Sequence, residues 1–126
     1  MEASIREHHV EDNVILLGTR TNPYPYVRAC DIYVQPSYTE GYSTTICEAG
    51  MLGKAIVGTK PSGGIYDQIS DGEDGFIADA TVDGLTEGIL TLIENENLCC
   101  QFETTIQKKN FEGKGEIQKF LDFLEK

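Results

Sequence analysis

Four short runs of β-branched and aliphatic residues, separated by stretches with helical spacing, constrain this chain more than any other feature. Val14-Ile15-Leu16-Leu17 is closed by Gly18, and Asp31-Ile32-Tyr33-Val34-Gln35 is stopped by Pro36, which cannot donate to a ladder. Ala55-Ile56-Val57-Gly58 follows the pair Gly53-Lys54, and Gly75-Phe76-Ile77-Ala78 follows a turn-rich Ser70-Asp71-Gly72-Glu73-Asp74. Each run is almost continuously apolar, as strands covered on both faces of a parallel sheet must be. Helical patterns lie between them, near Tyr24 to Ala29, from Thr44 to Leu52, and from about Gly64 to Ile69. The order β-α-β-α-β-α-β predicts an α/β fold, a parallel, doubly wound Rossmann-like sheet of about four strands flanked by helices. Its ligands belong at the carboxyl ends of the strands.

After the last strand, Leu85, Ile89, Leu92 and Ile93 recur at helical spacing with Thr81 as N-cap. Ile117, Phe120, Leu121 and Leu124 follow the i, i+3, i+4, i+7 rule on a final helix after the loop Glu112-Gly113-Lys114-Gly115. With 126 residues the chain has room for one core, so residues 1–126 are read as one domain, with the strand-bearing region at 14–78 and helices over 82–126. No glycine-rich first βα turn precedes Val14, so the expectation is the later part of a larger fold.

The formal net charge of -11, from 21 acidic and 10 basic residues, repels phosphate backbones and anionic membranes and argues against nucleic acid as a partner. The polar opening MEASIREHHVED and the absence of a membrane-length apolar run predict a cytoplasmic protein. Cys30, Cys47, Cys99 and Cys100 form no C-x-x-C pair and read as reduced thiols without a metal.

The stretch "YTEGYSTTICEAG", Tyr38 to Gly50, places Glu40 before a helix and Glu48 on its second turn, with Ser43 suited to the N-cap. Free N–H groups of the first turn, from Thr44 onward, face the same crevice with the positive end of the helix dipole. Carboxylate, anion-binding amides and a second carboxylate fit a ligand with hydroxyls at both ends and phosphates between them, the layout of a nucleotide-sugar.

The ordered motifs "NVILLG", "DIYVQPS", the pair Glu40 and Glu48, "EAGMLGKAIV", the "GG" of Gly63-Gly64 and "DGEDGF" resemble the carboxyl-terminal signature of the family 4 retaining glycosyltransferases. That family has the GT-B fold of two facing Rossmann-like domains. The resemblance implies that Glu40 is the catalytic-site acid contacting the donor sugar and that Glu48 binds the ribose hydroxyls. It places sugar and diphosphate oxygens on Gly41 and the backbone of Tyr42, Ser43, Thr44 and Thr45, and the nucleobase against Thr19 and Arg20. No metal cofactor is expected, and the setting implied is polysaccharide biosynthesis, membrane-peripheral when part of a full enzyme.

Departures from the pattern carry weight. Ser43 stands where the family often has proline, and Gly63-Gly64-Ile65-Tyr66-Asp67 replaces "GG-x-P-E". The family's arginine and lysine on the first βα segment, and its amino-terminal acceptor domain, have no counterpart. The isolated chain is therefore expected to bind donor weakly and to transfer no sugar, with the acceptor side supplied by a missing domain or a complementing chain. A non-catalytic nucleotide-sugar-binding or assembly subunit is the alternative. In the family's strand order the first two runs have two strands between them, so exposed sheet edges here would pair directly or support self-association.

Other features read structurally. His8-His9 point apart and are solvated; Asp71-Gly72-Glu73-Asp74-Gly75 lacks the ligand spacing of a calcium loop and reads as a tight turn. Gly53-Lys54 marks a helix stop, because a phosphate loop would need a glycine where Glu48 stands. Of Tyr24, Tyr26 and Tyr33, Tyr24 is the best placed to stack on a base, although core filling is the commoner role for such aromatics.

Overall fold

The computed structural model describes residues 1–37, 43–60, 65–109 and 122. Three parallel strands, β1 (Ile32–Gln35), β2 (Ala55–Lys60) and β3 (Phe76–Asp79), lie in the order β1-β2-β3. Helices α1 (Glu2–Glu7) and α2 (Tyr24–Ala29) precede the sheet, α3 (Thr44–Met51) and α4 (Ile65–Gln68) make its crossovers, and α5 (Val82–Glu94) and α6 (Glu96–Gln107) follow. Parallel pairing follows from those crossovers, since a tight hairpin cannot bring two strands into the same direction.

β2 is the centre: Ala55, Ile56 and Val57 are fully buried. Strand alternation sends Ile56 to one face, with Ile46 of α3, Ile65 of α4 and Ile69, and sends Ala55 and Val57 to the other, with Ala78 and Leu92. α6 serves both faces, giving Ile106 to the first cluster and Phe102 to the second. Two residues past its end, Lys109 places its Nζ 2.7 Å from Asp74 Oδ2 and ties the end of α6 to the turn before β3.

α3 begins and ends as its sequence dictates. Ser43 Oγ accepts from the Ile46 N–H at 3.3 Å, satisfying one of the orphan donors of the first turn. At the other end Gly53 takes φ +74°, its N–H donates to Gly50 O, and the Lys54 N–H reaches Ala49 O, each at 3.0 Å. That paired arrangement is a Schellman stop, and the left-handed turn it needs favours glycine. Thr81 caps α5 by accepting from the Gly84 N–H at 3.0 Å, and Asp71 and Asp74 brace the turn before β3 through the Ile77 and Ser70 amides, each at 2.8 Å.

Three expectations are corrected. Val14–Leu17 forms no strand; Ile15 is 81% exposed and Leu16 46%. A β-branched run acquires a ladder only from a neighbour, and among the described residues β1 pairs with β2 alone. Ile93 faces solvent at 62% exposure, whereas α6, unanticipated, brings the large core residues Phe102 and Ile106. The polar opening, to which the apolar pattern assigns no element, contains the short helix α1. The final helix through Ile117, Phe120, Leu121 and Leu124, with the loop Glu112 to Gly115, lies outside the described residues.

Candidate functional site

The carboxyl ends of all three strands point to one edge of the sheet, where β1 hands on to α3 through Ser43. Two glutamines hold that residue. Gln68 of α4, 1% exposed, accepts from the Ser43 N–H at 2.8 Å and donates through Nε2 to Ser43 O at 2.6 Å, with Cys47 Sγ a further acceptor at 3.3 Å. One side-chain amide thus pairs with both backbone groups of a single residue, as a neighbouring strand would.

Gln35, the last residue of β1, holds the side chain. Its Nε2 donates to Ser43 Oγ at 2.9 Å, Ser43 Oγ lies 2.9 Å from Thr45 Oγ1, and Thr45 Oγ1 donates to Gln35 Oε1 at 2.7 Å. Donors can run one way round this closed ring, so each bond polarises the next. Tyr33 adds a hydroxyl to Gln35 Oε1 at 3.2 Å, and the buried Thr59 hydroxyl donates to the Ser37 carbonyl. The hydroxyls of Ser43 and Thr45 and the Ser43 N–H are therefore occupied by the fold. What the helix start offers outward is the Thr44 and Thr45 N–H pair, which an α-helix leaves without intrahelical partners.

On the second turn of α3, Glu48 is half-buried, and Tyr24 of α2 donates its hydroxyl to Glu48 Oε1 at 2.9 Å. Among the described residues Oε2 has no hydrogen-bond partner. Tyr24 is buried, at 8% exposure, so stacking on a base, the role its position suggested, is ruled out by burial of the ring. Burial first, then the hydrogen bond to Glu48 and its charge, push the Tyr24 phenol up to about 12. A raised folded-state value stabilises the protein below the unfolded phenol value of 10.0 and is lost as pH climbs toward 12. Melting temperatures of the wild type are thus expected to fall more steeply over that interval than those of Tyr24→Phe, which has no phenol to titrate.

α2 also carries Tyr26, whose half-open ring has the Arg20 guanidinium 5.8 Å above its centroid, a cation–π arrangement. Thr19 and Arg20 are both exposed. Hence α2 connects the Thr19-Arg20 segment to Glu48: Arg20 rests on one of its tyrosines and Glu48 accepts from the other. Lys60 closes β2 at the same carboxyl edge, but its Nζ is 2.7 Å from Asp79 Oδ1 and both side chains are exposed. On the α5 side of that edge a cavity of about 100 Å³ is lined by Pro36, Ser37, Thr59, Thr81, Val82 and Leu85.

Of the site residues expected from the sequence, Ser43, Thr44, Thr45 and Glu48 come together on α3, with Thr19 and Arg20 linked to them through α2. Glu40, Gly41 and Tyr42, and the Gly63-Gly64 turn, lie outside the described residues. Gln35, Gln68 and the tyrosyl bond to Glu48 were not foreseen. Their signal was present as a polar amide within apolar runs, "DIYVQ" and "IYDQI", where an unpartnered glutamine would be costly. No group of three or more metal-ligating side chains occurs among the described residues.

Residues 1–109 match the family described as glycosyl transferases group 1. The chain belongs to that family. A relative from Campylobacter jejuni, N-acetylgalactosamine-N,N'-diacetylbacillosaminyl-diphospho-undecaprenol 4-alpha-N-acetylgalactosaminyltransferase, is 30% identical over 97 residues, which are 76% of this chain and 27% of the relative. The fold superposes on Anabaena HepE, solved in complex with UDP, with a TM-score of 0.82, 25% identity, and coverage of 96% of this chain and 35% of HepE. It also superposes on the C-terminal domain of the group 1 glycosyl transferase LpcC from Francisella tularensis, with a TM-score of 0.75, 23% identity, and coverage of 84% of this chain and 56% of that one. The parallel sheet with its flanking helices is thus a GT-B Rossmann-like domain, and this group 1 glycosyltransferase chain spans about a quarter of the Campylobacter relative. No described helix is long and apolar enough to cross a membrane.

Proposed function

We propose that this chain is the donor-binding part, the carboxyl-terminal domain, of a retaining glycosyltransferase that takes its sugar from a nucleotide-sugar. One observation carries the reading: a carboxylate oxygen of Glu48 without a hydrogen-bond partner among the described residues stands one turn along the helix whose first amides open at the carboxyl edge of the sheet. Ribose hydroxyls donate to that oxygen, the diphosphate meets the Thr44 and Thr45 amides, and the sugar lies toward Glu40. The UDP held by HepE and the C-terminal placement of the LpcC domain support the same assignment.

Transfer requires positive charge on the departing diphosphate. Among the described residues the cation that closes β2 at this edge, Lys60, is held by Asp79, and in this scheme the acceptor domain or a complementing chain supplies the remaining stabilisation. Purified chain is expected to bind donor and to transfer no sugar. No metal takes part in this scheme.

Binding of UDP, GDP and ADP by calorimetry tests the assignment. Hydrogen bonds to charged groups are worth enough that Glu48→Ala should weaken the preferred nucleotide by about 10- to 100-fold. Unchanged affinity for all three would remove the ribose role from Glu48.

A further inference from the structure

We propose that Tyr24 is a positioning residue that makes the nucleotide site selective for a cis-diol, because its hydroxyl holds one oxygen of Glu48 and aims the other at the sugar. The inference rests on the donor-binding reading above and goes beyond it in naming what sets the preference. The bond joins two helices across 24 residues of sequence at 2.9 Å. Neither end of the tyrosine is loose: the ring is buried, and the Tyr24 N–H donates to Asn22 Oδ1 at 3.2 Å. Pro23 and Pro25 flank it, each with a restricted φ, so the first turn of α2 has few alternatives.

A free glutamate must lose side-chain rotamer freedom when it meets a ligand. Tyr24 removes that loss beforehand by fixing the carboxylate in one orientation. With one acceptor site of Oε1 taken by the tyrosine and the carboxylate fixed in orientation, Oε2 turns both of its acceptor sites to the ligand. Two neighbouring hydroxyls on one ring edge, as in ribose, satisfy it; a sugar lacking them leaves a half-buried carboxylate oxygen unpaired. The tyrosine therefore converts a flexible acid into a diol gauge without touching the ligand.

The test compares UDP with 2′,3′-dideoxyuridine 5′-diphosphate on wild type, Tyr24→Phe, Glu48→Ala and the double variant, with a thermal melt of each. Tyr24→Phe should weaken UDP about tenfold and leave the dideoxy analogue at the wild-type affinity. Glu48→Ala should weaken UDP at least as much, and adding Tyr24→Phe to it should cost nothing more, because the two residues act as a unit. Equal losses on both nucleotides in Tyr24→Phe would mean a purely structural tyrosine and overturn the proposal. So would unchanged UDP affinity in Tyr24→Phe beside a loss in Glu48→Ala. Unchanged UDP affinity in Glu48→Ala would overturn the donor-binding reading itself, and this inference with it. Should Tyr24→Phe not fold, Glu48→Asp, one methylene too short to serve tyrosine and ligand together, must lose the preference for UDP over the dideoxy analogue; full retention overturns the proposal.

Discussion

Phe102→Ala is expected to destabilise the protein by about 3–5 kcal/mol, the range for deleting a buried phenylalanine side chain. Phe102 is 1% exposed and packs with Ala55 and Val57 of the central strand, Ala78 of β3 and Leu92 of α5. Small neighbours such as alanines cannot extend to refill the space, so the cavity stays open and the loss falls in the upper part of that range. Small domains keep only about 5–15 kcal/mol in hand, and the variant should melt at least about 15 °C lower. Thermal unfolding followed by circular dichroism measures this. Ile93→Ala is the informative companion: at 62% exposure it should cost under about 0.5 kcal/mol. Equal losses for the two variants would contradict the placement of α6.

That pair shows where the fold was legible. Leu85, Ile89 and Leu92 mark α5 correctly, and the strands at Ile32, Ala55 and Phe76 overlap the apolar runs that announced them, the second and third running on to Lys60 and Asp79. Those features are local: a period of 3.6 or a short β-branched run is written within a few residues. Val14–Leu17 has the same local character and still forms no strand, because a ladder needs a partner that the run itself does not specify. α6 was hidden for the opposite reason. Leu98, Cys99, Phe102 and Ile106 have helical spacing, but they are diluted by Glu96, Asn97, Gln101, Glu103 and Thr104, so the segment looks polar until the central strand is placed beneath it.

The site divides in the same way. Ser43 as cap and Glu48 on the second turn could be read from order alone, since both lie in one short helix. The partners that fix them could not: Tyr24 lies 24 residues from Glu48, and Gln68 lies 25 from Ser43. Contacts at such separations appear only once β1 and β2 are paired and their crossovers are laid on the sheet.

Gln68→Leu should be the most damaging change that leaves the apolar core intact, at about 2–4 kcal/mol. It is nearly the same volume, so no cavity opens; the loss comes from two backbone groups of Ser43, a residue 3% exposed, that forfeit their partners together. A buried polar group left unsatisfied costs about 1–3 kcal/mol, and the added apolar side chain returns part of the sum. Chemical denaturation should show a lower midpoint with an unchanged slope, since the surface exposed on unfolding is the same. Gln68→Glu separates the two bonds. An ionised carboxylate still accepts from the Ser43 N–H but turns an oxygen toward Ser43 O, where the amide had a donor. Burial and that carbonyl raise the folded-state pKa of such a glutamate above its ordinary value, near 4.3. The protonated acid can donate again, so its contribution is fully present below the unfolded pKa and disappears as pH rises through the folded one. Gln68→Glu should therefore approach wild-type stability in acid and approach Gln68→Leu at neutral pH. A variant equally stable to the wild type at neutral pH would mean that Ser43 O finds another donor, and that α4 does not hold the start of α3.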